Sequence, residues 1–264
     1  LYEIFNPPAI EFHLSSKDLL IDDKKVLTKP LGCEVIVHAP EQFEGDFVID
    51  LFSDDRNIVE QSIKLLNMVF IKARKISSLI GYEDKPKIIV NCGGHTTKGF
   101  LSDTDVKSMI NNFATSIEKL DFSGCRFLAQ TMPPYPWHFG GQSFHNQFTS
   151  SENINAILNS TDAKIEICLD TSHSYMWCNY SSENFNQFID EISRHVTHIH
   201  ISDAADEAEE GLQIGEGNMD FISMLDSLSS LKNNATLLPE IWQGHDNNGE
   251  GFSLALDLLE KQGY

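Results

Sequence analysis

At 264 residues the chain is long for one β-sandwich and close to the roughly 250 of one α/β barrel. With 41% hydrophobic and 22% charged residues it is expected to fold as a single domain, 1–264, rather than to be disordered. A formal charge of −20 leaves no basic footprint for nucleic acid. The sequence also contains neither an apolar run long enough for a membrane helix nor a basic, apolar leader at Leu1-Tyr2-Glu3, which argues against a membrane partner.

In chain order, seven short apolar segments read as strands: Ala9 to His13, Cys33 to His38, Lys87 to Cys92, Arg126 to Gln130, Ile165 to Asp170, Val196 to Ile201 and Thr236 to Glu240. Helical periodicity lies between them. Val59, Ser62, Leu66, Val69, Ala73 and Ile76 trace one face, and Val106, Ile110, Phe113, Ile117 and Leu120 follow a capping-box start at Ser102-Asp103-Thr104-Asp105. Phe185, Phe188 and Ile192 lie behind Ser182, and Phe221, Leu225 and Leu228 behind Asp220. Alternating strands and helices imply a parallel sheet with helices outside.

Two connections break the pattern. Residues 131–147 carry prolines and the aromatics Tyr135, Trp137, Phe139 and Phe144 without helical spacing, and read as a stiff aromatic wall over a site. Residues 203–210 are acidic and read as a solvated loop; Gly211, Gly215 and Gly217 then permit close backbone approach before the next helix. No P-loop, complete dinucleotide fingerprint or GxSxG elbow occurs. The five cysteines (Cys33, Cys92, Cys125, Cys168, Cys178) are odd in number, unclustered and without CxxC spacing, which suits a reduced, cytoplasmic protein without a thiolate zinc site.

The strand ends carry the chemistry: His13, His38, Asn91 with His95, Gln130, Asp170 with His173, His200 with Asp203, and Glu240 with His245. An open doubly wound sheet would concentrate such groups at one switch point, whereas a barrel collects them around its ring. The fold expected is therefore an α/β TIM barrel. Leu1 to Phe5 reads as the tail of a helix entering the first recognisable strand, so the expectation is a barrel lacking its first strand and excised from a longer chain. Histidines and carboxylates converging at one mouth suit an open zinc, manganese or magnesium site, with Asp170, His200 and Glu240 as first ligands.

Val37-His38-Ala39-Pro40, Cys168 to His173, His198 to Asp203, Ile214 to Gly217 with Asp220-Phe221, and Pro239-Glu240-Ile241 resemble motifs of the xylose-isomerase-like TIM barrels, in the right order over residues 9 to 260. That superfamily includes sugar-phosphate isomerases and epimerases, inosose dehydratases and multi-zinc AP endonucleases. The resemblance implies a divalent metal (Mn, Zn, Mg or Co) on Gln130, Asp170, His200 and Glu240, where the mononuclear isomerases carry Glu, Asp, His and Glu. Gln130 departs from that pattern and cannot serve as a base near neutral pH. The endonuclease pattern fits less well: Asn91 and Gly211 replace histidines, and Gln130 replaces its bridging glutamate. Glu11 to Ser15, His38 to Glu41, Gln130 to Gly141 and Pro239 to His245 are also similar to a barrel domain that follows sialic-acid-synthase-like modules in large bacterial proteins, which implies an upstream synthase module in the same polypeptide.

The expectation is thus a metal-dependent isomerase or epimerase acting on a small carbohydrate through an enediolate. Glu240 or His173 moves the proton, while His38, His95, His138, His245, Trp137 and Trp242 hold the sugar. Metal-assisted elimination or hydrolysis, and a non-catalytic sugar-binding domain of a nonulosonic-acid enzyme, remain alternatives.

Overall fold

The computed structural model describes residues 2–138, 141–231 and 234–264. Its frame is one parallel sheet of seven strands: β1 Ala9–His13, β2 Glu34–His38, β3 Lys87–Val90, β4 Arg126–Gln130, β5 Ile165–Asp170, β6 Val196–Ile201 and β7 Thr236–Pro239. Their spatial order is their chain order, with β1 and β7 at the two ends. All neighbouring pairs run parallel. The result is a nearly closed α/β TIM barrel, with one strand fewer than the usual eight. Each expected strand is present; β2, β3 and β7 differ from expectation only at their ends.

Period-two alternation separates the interior from the helical shell. Val35, Val37, Ile88, Val90, Phe127, Ala129, Ile167, Leu169, Ile199 and Ile201 join the outer core under the helices, whereas Ile36, Ile89, Leu128 and Cys168 form a separate inner cluster. Below that inner layer Lys87 meets Glu34 at 2.8 Å and Thr236, and Arg126 meets Glu166 at 2.8 Å. Above it stand the polar strand ends.

The outer core is supplied chiefly by α1 Arg56–Ile80, α2 Asp103–Ile117, α3 Ser151–Leu158, α4 Thr171–Ser181, α5 Phe185–Ile192, α6 Phe221–Leu228 and α7 Asp246–Lys261. In α1 all six residues of the expected face are buried. Its first turn is capped by Asp55, and Gly81 ends it at φ 78°, a left-handed conformation that costs glycine little. The expected capping box is present in α2, where Ser102 accepts from the Asp105 N–H and donates to its carboxylate. Among the described residues no helix is long and apolar enough to cross a membrane.

The irregular connections carry more structure than their sequences suggest. Residues 137–138 pair with 141–142, and His95–Thr96 pairs with Phe144–His145, so the segment 131–147 is laced into the loop after β3. The acidic segment folds as a hairpin, Asp203–Ala205 against Glu209–Leu212.

Candidate functional site

Asp170 ends β5 and caps α4, which starts at the next residue. One carboxylate oxygen accepts the His173 N–H at 3.0 Å and the Ser172 hydroxyl at 2.8 Å. The other faces the barrel mouth, 3.1 Å from Gln130 Nε2 and 3.9 Å from His200 Nδ1. The helix start thus fixes the direction in which the second oxygen points. Burial raises the Asp170 carboxyl, opposed by the charges of His173 and His200.

Three further strand ends converge on that oxygen. His200 Nδ1 lies 2.5 Å from Glu240 Oε2 and 3.3 Å from Gln130 Nε2. Burial alone would lower the His200 imidazole; Cys168, Glu11 and Glu240 instead hold it well above its ordinary value. Burial would likewise raise Glu240, but the neighbouring His200, His38 and His13 hold it below the carboxylate range.

The donor set fits a divalent cation. One ligand atom from each of Asp170, His200 and Glu240 lies within 4.8 Å of the others. Two carboxylates, an imidazole and an amide are a suitable donor set for magnesium, manganese, cobalt or zinc. Gln130 supplies a second test. His38 Nδ1 lies 2.8 Å from the Ala39 carbonyl, and its Nε2 lies 2.8 Å from Gln130 Oε1. Gln130 Nε2 donates to Asp170 Oδ2 at 3.1 Å, and turning the amide would bring Oε1 to face Asp170 and His200 in its place. An amide oxygen among carboxylates is satisfied by a cation.

Glu11 and His198, absent from the expected site, complete it together with the strand-end His13. Glu11, at the centre of β1, is buried with its Oε2 2.9 Å from His200 Nε2 and 3.0 Å from His198 Nε2. Its Oε1 lies 2.6 Å from His13 Nε2, which is 3.3 Å from Glu240. The rings of His13 and His38 stack at 4.5 Å. The alternation Glu11-Phe12-His13 and His198-Ile199-His200 puts each polar pair on one face of its strand, a signal that was available in the sequence.

The other expected residues are spread more widely. His173 sits over Asp170, its Nδ1 2.9 Å from the Thr131 carbonyl and its Nε2 3.2 Å from Glu210. Burial opposes its charge, but Asp170 and Glu210 push the ring up to about 10. His95 packs edge-on against His145, and burial lowers its imidazole. Trp242 is 80% exposed on the loop after Glu240, and His245 is exposed beside Asp246 at 3.5 Å. The side chains of Trp137 and His138, like Phe139, lie outside the described residues.

Asp203 turns away from the mouth. It accepts the N–H groups of Gly215 at 2.9 Å, Gly217 at 3.1 Å and Met219 at 3.3 Å, and so clasps the glycine segment. A Cβ on Gly217 would stand 2.2 Å from the Ala204 carbonyl, which is the close approach that the glycines suggested.

Residues 3–262 match the family described as "Xylose isomerase-like TIM barrel". No curated protein matches the sequence. Among solved structures, a D-tagatose 3-epimerase-like protein is 18% identical with a TM-score of 0.69, over 99% of this chain and 93% of that one. A xylose isomerase domain protein from Planctomyces limnophilus is 14% identical with a TM-score of 0.64, over 98% and 89%. A 3-keto-D-glucoside 4-epimerase from E. coli is 13% identical with a TM-score of 0.63, over 95% and 89%. At these identities the likeness establishes the shared fold.

Proposed function

The chain belongs to the xylose isomerase-like TIM barrel family, and from that premise we propose that it is a divalent-metal-dependent isomerase or epimerase of a small sugar or sugar derivative. The observation that carries this reading is the convergence of Asp170, His200 and Glu240 at the barrel mouth with Gln130 beside them. The structural likeness to a D-tagatose 3-epimerase-like protein and a 3-keto-D-glucoside 4-epimerase supports it.

Asp170, His200, Glu240 and the turned Gln130 amide would hold the cation. When bound, it supplies Lewis-acid polarisation of a sugar carbonyl and its neighbouring hydroxyl, which lowers the cost of an enediolate. Glu240, ionised across the neutral range, takes the proton from the carbon next to the carbonyl. The same carboxylate can return it to the former carbonyl carbon while the hydroxyl proton passes to the former carbonyl oxygen, which is aldose–ketose isomerisation. Returning it to the opposite face of the first carbon needs a second acid–base group, and the Gln130 amide cannot be one. Hence isomerisation fits this site better than two-carboxylate epimerisation. His173 holds its proton at neutral pH between Thr131 and Glu210, so it acts as a fixed positive charge rather than as the base.

Of the 39 acidic residues 18 fall in 165–264, against 3 of the 19 basic ones. That negative half favours an unphosphorylated substrate. The motif likeness to barrels following sialic-acid-synthase-like modules supports amino sugars and nonulosonic-acid precursors as first candidates, in the cytoplasm where the free thiols stay reduced.

The test uses chelator-treated protein reloaded with manganese, cobalt, zinc or magnesium and incubated with candidate aldoses, ketoses and amino sugars in deuterated water. Metal-dependent conversion with deuterium at the carbon next to the carbonyl is expected, and Glu240→Gln should abolish it. Absence of divalent-metal binding by calorimetry would overturn the reading.

A further inference from the structure

Glu11, its side chain 2% exposed, stands opposite Ile36 in the β1–β2 pairing, at the level of the interior cluster Ile36, Ile89, Leu128 and Cys168 and beside His198. A charge buried there is tolerated only when paired and hydrogen-bonded. Three imidazoles turn towards Glu11: its Oε2 lies 2.9 Å from His200 Nε2 and 3.0 Å from His198 Nε2, and its Oε1 lies 2.6 Å from His13 Nε2.

The geometry points to Glu11 as a positioning residue: its Oε2, 2.9 Å from His200 Nε2, holds a ring proton on that nitrogen, so that the proton a cation displaces is the one on Nδ1, whose lone pair then faces Asp170, Gln130 and Glu240. The two imidazole nitrogens are distinct, and the hydrogen bond made by one decides what the other can do. Without Glu11 the ring, on giving up one proton, can keep the other on Nδ1 for Glu240, 2.5 Å away, which closes the mouth to a cation. Glu11 also reaches Glu240 through His13, whose Nε2 lies 2.6 Å from Glu11 and 3.3 Å from Glu240. One carboxylate from β1 thus orients two imidazoles that flank the proposed base.

This inference rests on reading the mouth as a cation site, and its test separates the two claims. Zinc is titrated calorimetrically into chelator-treated wild type and Glu11→Gln, a variant that keeps the volume and one acceptor oxygen but loses the charge. Affinity is expected to fall roughly ten- to hundred-fold. Long-range 1H–15N spectra of the zinc-loaded proteins should show a proton on His200 Nε2 in the wild type, protected from exchange, and its protection lost in the variant. Equal affinity and equal protection in the two proteins would overturn the role of Glu11. If the wild type binds no zinc, the cation reading falls by itself. The tautomer is then read on the chelator-treated wild type at alkaline pH, where a proton on Nε2 upholds the positioning role and one on Nδ1 overturns it. The wild-type spectra also decide the matter should Glu11→Gln fail to fold.

Discussion

Replacing Gln130 by glutamate puts a second charge where the mouth is already crowded. The amide nitrogen lies 3.1 Å from Asp170 Oδ2 and 3.3 Å from His200 Nδ1. At 3.1 Å and an effective dielectric constant of about 20, two like unit charges repel by roughly 5 kcal/mol. The His200 imidazolium returns a comparable attraction, but it is already shared with Glu11 and Glu240. Metal-free Gln130→Glu is therefore expected to take up a proton at position 130. A carboxyl raised in the folded state destabilises above its unfolded value, and the penalty grows as pH rises to the folded one. The variant should lie about 1–3 kcal/mol below the wild type at pH 8 in chelator, within the usual range for a buried group of reduced compatibility, and recover as pH falls. With a divalent cation the sign reverses, because the added charge becomes a ligand. Affinity should rise at least about tenfold, or roughly 1.4 kcal/mol. Urea denaturation with and without manganese, together with calorimetry, measures both effects. Equal metal-free stability at pH 8 with unchanged metal affinity would refute the placement of residue 130 at the cation site.

Other expectations test the frame around the mouth. Gly217→Ala should cost about 1–3 kcal/mol in urea denaturation, because its Cβ would meet the Ala204 carbonyl at 2.2 Å and Asp203 Oδ1 at 2.3 Å. Asp23→Asn should cost about 3 kcal/mol, at the low end for breaking a buried pair, since Lys72, 2.5 Å from Asp23, keeps its bond to the Ile21 carbonyl. Burial opposes the Asp23 charge, but Lys72 and Lys75 hold its carboxyl below the ordinary value, so its contribution is present above the unfolded pKa and lost as pH falls through the folded one. The variant should correspondingly show a flatter acid limb in stability against pH. All five thiols are buried and their values raised by burial, so Ellman's reagent should react with less than about one thiol per chain until denaturant exposes all five.

The strand ends were legible because a barrel writes them locally: an apolar run stops and a polar residue follows. Arg126–Gln130, Ile165–Asp170 and Val196–Ile201 could be bounded from that pattern alone. Glu11 could not be assigned in the same way, although its alternation with His13 was visible. Its partners His198 and His200 are 187 and 189 residues away, and nothing local says that β1 faces β6 across the interior. Asp203 failed for the opposite reason. It follows His200 closely, but the hairpin that begins there turns its carboxylate onto the Gly215 and Gly217 amides. The start of α4 was missed because its sequence, Thr171 to Ser181, carries almost no apolar periodicity; the Asp170 cap and the packing of Met176 and Cys178 form it instead.

The two ends of the barrel interior treat negative charge differently, and that difference locates the chemistry. At the floor Glu34 meets Lys87 and Glu166 meets Arg126, each at 2.8 Å. Those pairs are complete as they stand. At the mouth Glu11, Asp170 and Glu240 face His13, His173, His198 and His200, with no lysine or arginine among their described ion pairs. Imidazole can surrender its proton when a stronger cation arrives, and a lysine at the same place would keep it. A barrel built only for stability would gain from a fixed cation there. Histidines placed around Glu11, Asp170 and the partly exposed Glu240 instead leave a site whose positive charge is exchangeable, as the proposed binding of a divalent metal requires.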